Sequence, residues 1–200
     1  MKRFLMSALI AAGMSVGLPA FAAAVVGQPA PQFTAVDTNG MAHDLSKLKG
    51  KYVVLEWVNP GCPFVKKHYE GNMQSTQKEA MSRGVMWFAV NSTAQGQTDY
   101  KSPADMAAWM HDEKAVVTAT LMDTDGKVGK TYGAKTTPHM YIIDPKGVLI
   151  YAGAIDSKPT AKVEDITTAT NYVRVALEEA QTGKPVTTAT TQAYGCSVKY

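Results

Sequence analysis

The chain reads as an α/β domain with a central mixed sheet and helices on both faces. Three observations point there. Tyr52-Val53-Val54-Leu55-Glu56-Trp57 is apolar on both faces apart from Glu56, as a central strand covered on each side must be. Apolar runs of strand length alternate with helical patterns in the order β-α-β-α-β-α-β-β-α, which calls for parallel crossovers early and an antiparallel hairpin late. The late part, Met140 to Asp144 and Val148 to Gly153 around Pro145-Lys146-Gly147, has hairpin spacing.

Taken in order, Gly27 to Pro31 is an extended lead-in, Phe33 to Val36 a brief strand ending at the turn Asp37-Thr38-Asn39-Gly40, and Asp44 to Lys49 a single helical turn. After the Tyr52 to Trp57 strand, Val65 to Arg83 is helical, with Gly71-Asn72 expected to kink or split it. Val85 to Val90 is a second buried strand, and Asn91 to Lys101 a polar loop. Ser102-Pro103-Ala104-Asp105 starts the next helix, with Ser102 as cap and Pro103 in the first turn, running to Glu113. A strand near Val117 to Met122 and a short helix ending at Tyr132-Gly133 precede the hairpin. Ile166 to Gln181 carries apolar residues at helical spacing, and Gly183 ends it. Thr187 to Thr191 is a low-complexity link to the C-terminus.

Met1-Lys2-Arg3, the apolar run Phe4 to Leu18 and the small residues Ala20-Phe21-Ala22-Ala23 have the three regions of a secretory signal peptide, with cleavage expected near Ala22. The run is diluted by Ser7, Gly13, Ser15 and Gly17, and its roughly 15 apolar residues fall short of the ~20 that a spanning helix needs. The expected organisation is a signal peptide at 1–22, one domain at 23–182 and a tail at 183–200. Removal of Lys2 and Arg3 takes the formal charge from +3 to about +1, and no basic patch points to nucleic acid. The expected product has no membrane span and resides in the periplasm or is secreted, where disulfides persist.

The chain has two cysteines. Cys62 sits where the Tyr52 to Trp57 strand breaks at Asn59-Pro60-Gly61 and a helix begins. Unpaired N–H groups and the positive end of the helix dipole favour a thiolate there, with Lys66, Lys67 and His68 as further positive influences. Cys196 lies in Tyr194-Gly195-Cys196-Ser197-Val198-Lys199-Tyr200. It reads in three ways: a resolving thiol on a mobile tail, a permanent staple, or an intermolecular link in a dimer. A bridge to Cys62 would close about 134 residues, a constraint of roughly 4–5 kcal/mol in the chain-entropy view.

Strand, Pro60-Gly61-Cys62-Pro63, helix, and much later Thr136-Thr137-Pro138 before a strand and hairpin together resemble the thioredoxin superfamily, and within it the redoxin branch that includes alkyl hydroperoxide reductase C, thiol-specific antioxidant and peroxiredoxin-like proteins. The resemblance covers Gly27 to about Gln181. It implies a thioredoxin-like fold, a reactive Cys62 capping its helix, and a cis Pro138 facing it. It also implies a Thr137 backbone free to pair with substrate, with Asn59 and Pro60 beside the thiol. Glu56 matches the acidic residue beneath the thioredoxin site that shuttles protons, although Lys135 or Lys51 would pair it equally well. The departures are specific. Val65 stands where a thioredoxin dithiol has its second cysteine. Asn59 and Leu55 stand where peroxiredoxins carry a hydroxyl residue and proline, and the Asn59 amide is the remaining donor for a peroxide. Neither Arg83 nor Arg174 sits in a motif that marks it as an activating arginine.

The resemblance therefore implies a redox-active oxidoreductase acting by thiol-disulfide exchange or, with antioxidant activity, by peroxide reduction. Cys62 attacks, Cys196 resolves, and an external thiol reductant restores the pair. No flavin or nicotinamide fingerprint is present, so no cofactor is expected. The alternatives from other classes are a non-catalytic envelope domain with a structural Cys62–Cys196 disulfide, and a copper-binding chaperone using Cys62, His139 and Met140, with His68 a further imidazole. A close cysteine pair is lacking for copper, so no metal is assigned.

Overall fold

The computed structural model describes residues 24–200. The expected signal peptide lies outside them. Among the described residues, no helix is long and apolar enough to cross a membrane.

A seven-stranded mixed sheet forms the centre, in the order β2-β1-β5-β4-β3-β7-β8. Its strands are β1 (Thr34–Asp37), β2 (Ala42–Asp44), β3 (Val53–Trp57), β4 (Met86–Asn91), β5 (Ala119–Met122), β7 (His139–Ile143) and β8 (Leu149–Gly153). β3 pairs in parallel with β4 and β4 with β5, while the remaining pairings are antiparallel. A separate two-stranded ladder joins β6 (Thr136–Thr137) to β9 (Cys196–Ser197).

All five residues of β3 are buried, and the period of two along the strands divides them between two cores. Val54, Trp87, Ala89, Met140, Ile142 and Tyr151 face the side covered by α1 (Pro63–Tyr69), α2 (Asn72–Ser82) and α5 (Tyr172–Gln181). Val53, Leu55, Trp57, Phe88, Leu121 and Tyr141 face the other, closed by Leu45 and by Val128 and Tyr132 of α4 (Lys127–Tyr132). Each fully buried Val, Leu, Ile, Phe or Met side chain among these contributes about 1.5–3 kcal/mol. The buried indoles keep their N–H groups bonded: Trp57 donates to Ser92 Oγ at 3.0 Å and Trp87 to Glu56 Oε2 at 2.8 Å.

Local signals set most boundaries. Gly71, at φ +111, separates α1 from α2, a conformation that glycine adopts without steric penalty. Ser102 caps α3 (Pro103–Asp112) by accepting from Asp105 N–H at 3.1 Å. The expected helix over 166–181 begins later. Val163–Thr168 is a 3-10 turn, Ala169 is extended, and α5 starts only after Asn171, whose Oδ1 accepts from Arg174 N–H at 3.0 Å. The Thr167 and Thr168 hydroxyls bond back to Glu164 O and Asp165 O, local bonds that hold the tight turn. Sequence reading also missed β2, β6 and β9, each of two or three residues and so too short to show a period.

Candidate functional site

Cys62 is the N-cap of α1, with Pro63 in the first turn, and is 2% exposed. The turn that carries it is organised by Asn59. Asn59 Oδ1 accepts from Gly61 N–H at 2.7 Å, Asn59 O accepts from Cys62 N–H at 3.0 Å, and Asn59 Nδ2 donates to Thr93 Oγ1 at 3.0 Å. The side chain expected to offer a donor to a peroxide instead shapes the cysteine turn and anchors it to Thr93. Pro60 is buried in the same turn. At Gly61 a Cβ would lie 2.9 Å from the Asp99 carboxylate carbon, so the glycine lets the 91–101 loop close over the turn.

The Cys62 thiol donates to Thr137 O at 2.9 Å, across 75 positions of sequence. The Thr137–Pro138 bond is cis, and both residues are buried. The Thr137 edge is occupied, contrary to the expectation that it would be free. β9 pairs with it antiparallel, with Thr137 opposite Cys196 and Thr136 opposite Ser197. Both cysteines are thiols here. Burial, then a hydrogen bond and charge from Cys62, push the Cys196 thiol up to about 12.

Of the three readings of Cys196, the resolving one places it on a mobile tail. The tail is docked along its length. Thr191 Oγ1 accepts from Ala154 N–H at 2.9 Å, Val198 N–H donates to Lys135 O at 3.0 Å, and Ala94 N–H donates to Lys199 O at 2.8 Å. Lys199 pairs with Asp99, and Tyr200 OH donates to Ala134 O at 2.7 Å.

Two of the three cationic residues expected beside Cys62, Lys67 and His68, are engaged elsewhere. Lys67 is 1% exposed, donates to Lys158 O at 2.9 Å and lies 3.6 Å from Asp156 Oδ2. His68 is fully buried. Its Nδ1 accepts from Asn72 Nδ2 at 2.8 Å, which leaves Nε2–H to donate to Tyr194 OH at 3.1 Å, and Tyr194 in turn donates to Asp156. Burial holds the His68 imidazole down at about 4, so it is neutral at pH 7. Asp156 and Tyr194, which tie α1 to the tail, carry no motif and were not singled out from sequence.

Glu56 is fully buried and accepts from Tyr69 OH at 2.9 Å, Trp87 Nε1 at 2.8 Å and Gln77 Nε2 at 3.0 Å. Neither Lys51 nor Lys135 is its partner. Burial raises its carboxyl to about 6 despite the three donors. No hydrogen bond among the described residues joins it to either cysteine. His139 and Met140 are consecutive on β7 and leave it on opposite faces. Met140 packs in the core that contains Cys62, while His139 Nδ1 accepts from Lys135 N–H and meets Tyr141 OH, both at 3.3 Å. Among the described residues, no group of three or more His, Cys, Asp or Glu side chains is placed to hold a metal ion.

A mixed sheet whose central strand leads to a cysteine-capped helix, with a cis-proline strand against the thiol, defines a thioredoxin-like fold. The chain belongs to the AhpC/TSA family, whose model matches residues 26–152. It is 32% identical over 124 residues to the thiol-disulfide oxidoreductase ResA of Bacillus subtilis (strain 168), a match spanning 62% of this chain and 64% of that protein. It is 27% identical over 148 residues to the thiol:disulfide interchange protein DsbE of Escherichia coli (strain K12), covering 72% of each. A solved structure of an uncharacterized conserved protein from Geobacillus kaustophilus superposes with a TM-score of 0.75 at 27% identity, covering 92% of this chain and 98% of that one. The family match ends before α5 and the tail, so Asp156 and Cys196 are features outside it.

Proposed function

We propose that this chain is an exported thiol-disulfide oxidoreductase that works through a Cys62–Cys196 couple in the periplasm or outside the cell. The observation that carries the reading is the position of Thr137, whose carbonyl accepts from the Cys62 thiol while its strand partner is Cys196. Two thiols far apart in sequence thus meet at the edge beside the cis-proline. The similarity to ResA and DsbE supports the same reaction class.

In the reductive direction, the Cys62 thiolate attacks one sulfur of a substrate disulfide. That S–S bond breaks, the first substrate thiolate leaves, and a mixed disulfide holds the substrate on Cys62. Cys196 then gives up its proton and attacks the Cys62 sulfur, releasing the second substrate thiolate and closing the Cys62–Cys196 disulfide. The substrate gains two electrons and the protein loses two. An external dithiol returns them, and no resident cofactor enters the cycle. A thiol held near 12 is protonated at rest, so Cys196 becomes a nucleophile only as the site rearranges around a mixed disulfide.

The test is turnover of the reduced protein with a protein disulfide and with hydrogen peroxide, followed by mass mapping of the cysteines. The reading expects a protein disulfide to oxidise the pair to Cys62–Cys196 much faster than peroxide does. Faster oxidation by peroxide would assign a peroxidase, and a bridge that no thiol reductant opens in the folded protein would assign a structural disulfide.

A further inference from the structure

The last seven residues do more than deliver a thiol, because the body of the protein is shaped to receive them. Gly195 holds the tightest place. It sits at φ +129, and a Cβ there would stand 2.1 Å from the Thr137 carbonyl oxygen, an atom of backbone that cannot swing aside. Only glycine can precede the cysteine in this register. On the upstream side the Tyr194 ring meets Phe64 edge-on at 5.8 Å between centroids, and its hydroxyl reaches Asp156. Downstream, Lys199 pairs with Asp99, and the Tyr200 ring fills the space that a Cβ on Gly126 or Gly129 would enter, 2.5 Å from Tyr200 atoms in each case. The backbone ladder, an aromatic seat, an acidic seat and two glycines of the body therefore form one continuous track across Cys62.

Each of these contacts is available to any extended segment with the same side chains. Resting on the redox reading above, we propose that this track is the substrate groove, that residues 194–200 are its tethered occupant at rest, and that the preferred protein substrates are extended segments whose reactive cysteine directly follows glycine. An aromatic residue two positions before that cysteine and a lysine three positions after it complete the match. The edge at Thr137 takes one strand at a time, so a substrate enters as the tail leaves. The returning tail brings Cys196 to the mixed disulfide and displaces the substrate segment, coupling resolution to release.

The experiment uses the full chain with Cys196→Ser, so that Cys62 is its one thiol. The probe is a heptapeptide of the tail sequence, tyrosine-glycine-cysteine-serine-valine-lysine-tyrosine, with its cysteine activated as a disulfide with 5-thio-2-nitrobenzoate. Cys62 attacks the peptide sulfur, a new S–S bond forms, the old one breaks, and thionitrobenzoate leaves as a coloured thiolate. Mass spectrometry verifies the peptide adduct. Alanine in place of the peptide glycine is expected to slow adduct formation at least tenfold, and glutamate in place of lysine several-fold. Adding Tyr200→Ala to the protein is expected to loosen the tail and speed reaction with the parent peptide several-fold. A second readout uses the reduced wild-type chain. An unreactive peptide with serine for cysteine is expected to speed alkylation of Cys196 by iodoacetamide by displacing the tail, and its alanine-for-glycine version is expected to leave that rate unchanged. Equal rates for glycine and alanine peptides, with Cys62 reacting with glutathione disulfide, would overturn the groove assignment alone. A Cys62 that reacts with neither the peptides nor glutathione disulfide in the loosened variant would overturn the redox reading beneath it.

Discussion

Thr137 and Cys196 face one another in an antiparallel pair, and the same Thr137 offers its carbonyl to the Cys62 thiol. One residue of backbone thus touches both sulfur-bearing residues, and whatever undocks the tail from Thr137 also separates the thiols. Gly195 controls this docking most directly. Gly195→Ala places a methyl carbon against Thr137 O at a position now 2.1 Å away, so the tail lifts from β6. Because Cys62 is 2% exposed, its alkylation by N-ethylmaleimide is expected to accelerate by roughly tenfold or more, with little change in helix content by circular dichroism. An unchanged alkylation rate would mean that the tail does not shield the thiol.

Tyr194 joins the tail to the buried charges under α1. Tyr194→Phe removes the hydroxyl that accepts from His68 and donates to Asp156. Asp156 Oδ1 keeps the Lys158 N–H at 3.0 Å, while Oδ2 has no hydrogen-bond partner even in the intact protein. The loss is expected to destabilise the reduced protein by about 1–3 kcal/mol, read from urea unfolding. The oxidised protein holds the tail covalently and still lacks the hydroxyl, so it too unfolds at lower urea than its parent.

Three buried groups, His68, His139 and Glu56, shape the pH dependence of stability between pH 7 and 4. Burial holds His68 and His139 at about 4, below an ordinary 6.5, so the unfolded chain takes up their protons first as pH falls. Their contribution is complete above pH 6.5 and is lost between 6.5 and 4, at roughly 3 kcal/mol for each imidazole. Glu56, raised by burial from 4.5 to about 6, has the opposite sign. Its folded form holds the proton more tightly, so it favours the fold below 4.5 by roughly 2 kcal/mol, an advantage lost as pH rises through 6. The histidines outweigh it. Urea midpoints of the reduced protein should fall as pH is lowered from 7 to 4. A flat profile would show that these imidazoles are not held neutral.

Glu56→Gln tests the part played by that carboxylate. Trp87 Nε1 and Gln77 Nε2 both donate to Oε2 and Tyr69 to Oε1, so an amide NH2 at either position faces a donor. The substitution is expected to cost about 1–3 kcal/mol and to leave the pH profile of Cys62 alkylation where it was. A shift of that profile would put Glu56 on the proton path that the thioredoxin resemblance implies.

Local chemistry made the frame of the site legible. Pro60-Gly61-Cys62-Pro63 after an all-apolar strand marks a turn into a helix, and Thr137-Pro138 before a strand marks the opposing edge. What stayed hidden depended on groups far apart in sequence. The tail has no periodic pattern, and its seats come from Asp99, Gly126, Gly129 and Thr137, so its docking could not be read from residues 183–200 alone. Lys67 and His68 read as cations near the thiol because their helix position is right. Lys67 is buried against Asp156, a residue 89 positions further on, as an ion pair, and burial outweighs the opposing pull of Asp156 to leave His68 a neutral imidazole. The start of α5 was misplaced for a simpler reason. The threonines at 167 and 168 tolerate a helical pattern, but their hydroxyls favour the tight turn that precedes Asn171.

The most direct test is the reduction potential of the protein, equilibrated in glutathione redox buffers and read by mass spectrometry of the two cysteine peptides. The expected result is a single intramolecular Cys62–Cys196 disulfide with a potential at or above about −250 mV, the range of working disulfides. A potential below about −300 mV, or no bond between these two residues, would contradict it.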